Sequence, residues 1–348
     1  LLRKNFLLYL LIPVLPLVNG CSHSGNAKVT RGVYYWKTSL SINQNDLKWI
    51  NENHIRKMYV RFFDVDWNPN VNQAVPVSEI TLESKPPERV EIIPTVFITN
   101  RTIINIADSL IKGLAQKIFG KISYKMKGFN LFPLKEIQMD CDWSTGTKDK
   151  YFQLINGLNE LAVKKNISVT ATIRLHQVKY FKKTGVPPVK RGMLMFYNMS
   201  DVADIRTRNS IYDEDIAKRY LVNFDKYPVP LDVVLPAFSW GVLFKNRKIS
   251  RLINDVSETE LTGSGSFKSL GSGYYRAEEN NYLHGIFIGD KDIIRLEQIT
   301  PADTKAAAEL VSHYIKNDSI VVSIYHLNKE TVGQYGKEVW EDITSPFN

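Results

Sequence analysis

Two stretches of the chain put a pair of carboxylates and an indole within four residues, Asp64-Val65-Asp66-Trp67 and Asp140-Cys141-Asp142-Trp143, each at the end of an apolar run. Side chains alternate along a strand with period two. Gln138, Asp140 and Asp142 therefore share one face, and Met139, Cys141 and Trp143 the other. An ionised carboxylate removed from water without a partner costs several kcal/mol, so such a face must meet water, a cation or a ligand. Asp140 and Asp142 are read as catalytic carboxylates. The plainer alternative is that these aspartates cap following helices or pair with Arg61 and Arg174.

The elements that must hold these groups follow from the apolar pattern. Gly32 to Thr38, Lys57 to Trp67, Glu91 to Thr99, Glu136 to Trp143, Ser168 to His176, Gly192 to Asn198, Leu231 to Trp240 and Ser319 to His326 read as eight strands. Helical stripes recur between them, as in Ala107, Leu110, Ile111, Leu114, Ile118 and in Tyr151, Leu154, Ile155, Leu158, Ala162. Shorter stripes follow at Ala217, Tyr220, Leu221, Phe224 and at Ala307, Leu310, Val311, Tyr314, the last preceded by the start signal Thr300, Pro301, Asp303. Eight strands alternating with helices in 348 residues, 44% of them hydrophobic, predict an α/β fold, a (β/α)8 TIM barrel over residues 31–348. No Gly-x-Gly-x-x-Gly follows the first strand, which argues against an open nucleotide-binding sheet.

One stretch breaks the alternation. Residues from about 245 to 298 carry Gly263-Ser264-Gly265-Ser266 and Gly271-Ser272-Gly273, then two short runs, Gly285 to Ile288 and Ile293 to Leu296, flanking Gly289-Asp290. This predicts an insertion after the seventh strand, with a hairpin turning at Gly289-Asp290.

Active sites of such barrels lie at the C-terminal ends of the strands, and there the expected ends collect chemistry. Trp36, Trp67, Trp143 and Trp240 fall at the first, second, fourth and seventh. Indole faces stack on sugar C–H faces, and carboxylates beside them supply acid, base or hydroxyl-binding groups. Trp36, Asp64, Asp66, Arg174, His176, Tyr197, Asn198 and Trp240 are accordingly expected to bind a carbohydrate. By strand parity Trp143 points away from Asp140 and Asp142. No His-Glu-x-x-His and no Gly-x-Ser-x-Gly occurs in a suitable place, so neither a zinc hydrolase nor a serine hydrolase is expected. The site is read as free of metal and cofactor, with a divalent cation on Asp64, Asp66 or Asp140 and His176 as the alternative.

The first twenty residues read as a leader. Arg3 and Lys4 precede the apolar run Phe6 to Val18, followed by Asn19, Gly20 and Cys21, the layout of a bacterial lipoprotein signal with Cys21 as the acylated residue. The run is shorter than the ~20 residues that span a bilayer, and Pro13 and Pro16 interrupt it. Residues 21–30, small and polar, are the expected tether. With Cys21 acylated, Cys141 has no disulfide partner and reads as a small buried hydrophobe. The formal charge of +9 falls by two without Arg3 and Lys4, and the excess is spread along the chain, so no nucleic-acid partner is expected. The expectation is a lipid-anchored monomer in the bacterial cell envelope, at the outer membrane if the cell is Gram-negative.

Three segments carry a resemblance. Ile137-Gln-Met-Asp-Cys-Asp-Trp-Ser144 resembles the Asp-x-x-Asp-x-Asp-x-Glu of chitinase-like glycosidases of family eighteen, Met195-Phe-Tyr-Asn198 their Met-x-Tyr-Asp, and Leu235-Pro-Ala-Phe-Ser-Trp240 their Leu-Pro-x-Tyr-x-Trp. The same segments resemble more closely a family of bacterial lipoproteins with a glycoside-hydrolase-like TIM barrel, whose fourth strand carries Gln-x-Asp-x-Asp. The resemblance implies that Asp140 and Asp142 hold the places of the inner carboxylates and that Tyr197 supports the reacting sugar. Ser144 stands where those glycosidases have their proton-donating Glu, Ile137 replaces their first Asp, and Asn198 their sixth-strand Asp. A serine hydroxyl cannot protonate a glycosidic oxygen as a carboxylic acid does. Two readings follow: a hydrolase whose second carboxylate comes from Asp64, Asp66 or Glu297, and a barrel that binds glycan without cutting it.

Overall fold

The computed structural model describes residues 27–348 apart from 223 and 316. The leader, Cys21 and most of the expected tether lie outside the described residues.

Eight parallel strands close on themselves. In chain order they are Lys28–Tyr35, Lys57–Asn68, Glu91–Ile98, Glu136–Asp140, Ser168–Arg174, Gly192–Met195, Leu231–Pro236 and Ser319–Tyr325, called here the first to eighth barrel strands. The first pairs with both the eighth and the second, which closes the ring and confirms the (β/α)8 TIM barrel. Both faces of a covered parallel sheet are buried, so its strands are continuous apolar runs. This is why each shows in the sequence. Their ends differ from expectation. The first strand starts at Lys28, inside the segment expected as tether, because Lys28 to Thr30 pair with Ser319 to Val321. The first, fourth, sixth and seventh stop three or four residues early, since the chain leaves the ladder there to form the barrel mouth.

The helix after the third strand spans Ile111–Gly128 and buries Ile111, Leu114, Ala115, Ile118, Phe119, Ile122 and Met126. Ala107 and Leu110, expected on its stripe, are exposed and precede it. The next helix, Lys148–Ala162, buries the expected stripe in full. Thr300 caps the helix Pro301–Ser312 through a reciprocal bond with Asp303. Inside the barrel Tyr34 stacks on Tyr59 (4.9 Å between ring centroids) and donates its hydroxyl to Gln138 Oε1 at 2.6 Å. A Cβ on Gly32 would lie 2.4 Å from Ser323 Oγ, so a side chain there would force the Ser323 hydroxyl into another rotamer. At the opposite end from the mouth, Lys57 pairs with Glu136 (2.7 Å) and Arg191 with Asp232 (2.9 Å).

The insertion is a five-stranded antiparallel sheet, in spatial order Lys248–Asn254, Ser239–Lys245, Ile293–Gln298, Tyr274–Ala277, Phe267–Gly271. It has its own core of Leu243, Ile253, Val256, Leu261, Tyr275 and Ile294. The hairpin expected at Gly289-Asp290 does not form. Ile286–Ile288 turns back through His284-Gly285 onto Asn281–Leu283, and Ile293–Gln298 pairs instead with Ser239–Lys245. His284 and Gly285 both have positive φ, as a tight hairpin turn requires. Among the described residues no helix is long and apolar enough to cross a membrane.

Candidate active site at the barrel mouth

An open cleft of about 600 Å³ lies at the C-terminal ends of the strands. Asp140 and Asp142 form part of its floor, on the polar face that period-two alternation assigns them. Arg174, last residue of the fifth strand, holds both. Its Nη2 donates to Asp140 Oδ1 at 3.2 Å and its Nε to Asp142 Oδ1 at 2.5 Å. Thr172, two residues earlier on the same strand, donates to the same Asp140 oxygen. Asp140 is buried, and burial pushes its carboxyl up while Arg174 pulls it down. Burial alone would lower the Arg174 guanidinium, but the charges of Asp140 and Asp142 outweigh it and raise it. Asp142 is about half exposed. The pair is thus one deep carboxylate held through a single oxygen and one open to the cleft, bridged by a single cation.

Aromatic rings form the walls. Trp36 follows the first strand, with Arg61 over its ring at 5.7 Å. Tyr197 lies 5.3 Å from Tyr325 and 5.6 Å from Phe238, and Phe238 lies 5.3 Å edge-on to Trp240. Burial raises the Tyr197 and Tyr325 hydroxyls, so both stay protonated donors at neutral pH. Trp240 opens the insertion, and its indole Nε1 donates to Glu297 Oε2 at 2.8 Å.

Of the residues expected to bind substrate, the cleft brings together Trp36, Arg174, Tyr197, Asn198 and Trp240 with Asp140 and Asp142. Three do not line it. Asp64 is paired with Arg61, which itself lines the cleft. Asp66 is turned to Arg101 and Thr99, and Arg101 holds its carboxyl down to about 2. His176 sits exposed on the following helix, Leu175–Lys179. The second strand explains the divergence of the two motifs. A register shift between Arg61 and Phe63 and an added antiparallel partner, Gln73–Val77, carry it past the ring. Trp143, fully buried, stacks on Tyr151 at 5.2 Å and donates to Thr184 O at 2.9 Å, as parity requires. Ser144 is exposed, and its hydroxyl lies 3.3 Å from that of Thr147. Glu297, weighed as a second carboxylate, is fully buried. It takes Arg295 Nε (2.7 Å), the Ser210 amide and hydroxyl, and the Trp240 indole, which leaves it no access to a substrate.

One carboxylate of the cleft was not foreseen. Asp255 follows the insertion strand Lys248–Asn254, faces His326 Nε2 at 3.8 Å and accepts from Asn328 Nδ2 at 2.8 Å. Burial lowers the His326 imidazole, so it faces Asp255 neutral at pH 7. The fourth and eighth strands are four places apart in a ring of eight, so the Asp255–His326 pair stands across the ring from Asp142. The signal in the sequence was slight: Asn254-Asp255 ends an exposed strand with no apolar run to mark it. Among the described residues no group of three His, Cys, Asp or Glu side chains is placed to hold a metal ion.

No protein-family model matches the sequence, and no curated protein matches it. Solved structures do match in fold. The spore cortex-lytic enzyme SleL of Bacillus cereus superposes with a TM-score of 0.53 at 11% identity, over 93% of this chain and 75% of that one. A chitinase of Chromobacterium violaceum gives 0.52 at 10%, over 91% and 98%. The chitinase-like agglutinin RobpsCRA of Robinia pseudoacacia gives 0.54 at 11%, over 91% and 99%. These show a TIM-barrel fold shared with chitinases, with a spore cortex-lytic enzyme and with a chitinase-like agglutinin.

Proposed function

We propose that the protein takes a glycan chain into the mouth cleft and acts on it as a glycoside-hydrolase-like protein of the bacterial envelope, anchored by a lipid on Cys21. The observation that carries this reading is the half-exposed Asp142 on the floor of a cleft walled by Trp36 and Trp240. The fold neighbours, two named for chitin or spore-cortex lysis and one for agglutination, support a glycan as the ligand class.

Hydrolysis of a glycosidic bond uses two carboxyl groups, ~5 Å apart for retention and ~6.5–9.5 Å for inversion. Asp142 supplies one in this proposal and Asp255 the other, from across the ring. Asp140 acts through Arg174, which it orients toward Asp142. Tyr197 and Tyr325, packed against each other at 5.3 Å, form one aromatic surface for the sugar to rest on. Asp64, Asp66 and His176, which do not line the cleft, are given no part in this reading.

The second reading, binding without cleavage, is favoured by the bridge from Arg174 to both aspartates and by the absence of a carboxyl at Ser144. One experiment separates the two. The purified protein is incubated with a panel of envelope and dietary polysaccharides and the release of reducing ends is measured. Release that disappears in Asp142→Asn is the expected result. Retention of a glycan without release, unchanged by Asp142→Asn, establishes the binder. For the anchor, Cys21→Ser is expected to move the protein from the membrane fraction to the soluble one.

A further inference from the structure

The end of the barrel opposite the cleft carries a surface that neither the catalytic nor the binding reading uses. The loops entering the third, fourth and fifth strands lie side by side there. A groove of about 770 Å³ runs between the first two, lined among others by Arg56, Lys85, Arg89, Phe129, Phe132 and Lys135. Phe132 is 62% exposed, and Val163, in the neighbouring loop, 72%. Large apolar side chains held in water beside cations are the composition of a surface that sits at a membrane interface.

The charge is mainly positive, with Glu88 and the half-buried Glu91 as the acids of the groove. Arg56, Arg89, Lys127, Lys135 and Lys164 are all exposed, and none of them is in an ion pair among the described residues. Glu88 in the same groove is neutralised by Lys85 at 2.7 Å. A soluble polyanion would be met by the cations alone and would leave Phe132 and Val163 bare. An anionic bilayer takes both, with headgroups against the cations and the acyl boundary against the apolar tips.

The position of the chain start agrees. The first strand begins at Lys28, and in a parallel barrel every strand begins at this end. Six residues separate Cys21 from Lys28, a span of at most about 20–25 Å. An anchor at Cys21 therefore keeps this end, and not the mouth, against the lipid.

We propose that the N-terminal end of the barrel, centred on Phe132 and Lys135, docks on anionic lipid headgroups and holds the glycan cleft facing away from the membrane. The orientation rests on the Cys21 anchor of the proposed function; the lipid contact rests on the surface itself.

The test uses the full chain carrying an environment-sensitive fluorophore on Phe132→Cys, or on Tyr282→Cys at the far end in the insertion. Vesicles of phosphatidylglycerol and phosphatidylethanolamine are compared with vesicles of phosphatidylcholine. The expected result is a blue shift and severalfold brightening at 132 with the anionic vesicles only, and silence at 282. Arg89→Gln/Lys135→Gln/Lys164→Gln should weaken the response on the order of a hundredfold, at about tenfold or less per cation. No response at 132, an equal response to phosphatidylcholine, or an equal response to soluble polyphosphate overturns the lipid contact. Release of the Cys21→Ser protein from membranes bears on the anchor alone, so failure of the anchor and failure of the surface are told apart. A response at 282 equal to that at 132 overturns the orientation.

Discussion

Glu297 Oε2 accepts the indole N–H of Trp240 at 2.8 Å, and the same oxygen takes the Ser210 amide at 2.9 Å and hydroxyl at 2.6 Å. One buried carboxylate thus joins a ring on the wall of the cleft to the loop after the sixth barrel strand. Its other oxygen receives Arg295 Nε at 2.7 Å, and Arg295 passes on to the carbonyls of Asp204 and Val202. A carboxylate with no exposure is tolerable only when ligated in this way.

Glu297→Ala would strand the Arg295 charge in the interior. Loss of a buried partner of this kind costs about 3–5 kcal/mol, to be read as a fall in the urea midpoint at unchanged m-value. Glu214→Ala, which removes an exposed pair with Lys218, should leave the midpoint where it was.

Asp232 gives a pH signature. Burial is the larger influence on its carboxyl and, against Arg191, raises it from 3.8 to about 6. The native state therefore binds this proton more tightly than the unfolded chain. The contribution to stability is complete below the unfolded value and is lost as pH rises through about 6. In Asp232→Asn this dependence vanishes. The unfolding free energy of the wild type relative to Asp232→Asn should fall by about 3 kcal/mol between pH 3.5 and 7, as measured by chemical denaturation at each pH.

Cys141 is fully buried, and burial raises its thiol well above the usual value. Attack by a thiol reagent needs an accessible thiolate. In the native protein Cys141 should resist a disulfide reagent such as dithionitrobenzoate for hours and react at once in 6–8 M urea, with peptide mapping to assign the site.

The barrel could be read from its residues because each strand is an apolar run buried on two sides, and Met193 and Leu194 or Val233 and Val234 need no partner to be recognised. The ends were less legible. Asp140 to Trp143 keeps the alternation of a strand after the ladder has stopped at Asp140. The pairing of Ile293–Gln298 with Ser239–Lys245 spans some fifty residues and leaves no local mark, whereas Gly289-Asp290 carries the composition of a turn that is made elsewhere. Asp140, Asp142, Arg174 and Tyr197 met in the cleft because strand parity and strand ends are local properties. Asp64 and Asp66 misled because their motif is a copy, while the register shift beside Arg61 that redirects it is not written in the motif. Asp255 escaped because a loop residue acquires its neighbours only from the closed ring.

The insertion leaves the seventh strand after Ala237 and Phe238 and returns at Gln298, and Ser239 and Gln298 stand opposite each other in its sheet. Its two ends are therefore a single point on the rim. A short turn joining Phe238 to Ile299 would leave the ring of eight strands closed while deleting Trp240, Asn254 and Asp255 together. One whole wall of the cleft is thus a removable part, and ligand preference could be exchanged by swapping that part between barrels, with Ser210 and the carbonyls of Val202 and Asp204 as the sockets any replacement would have to fit.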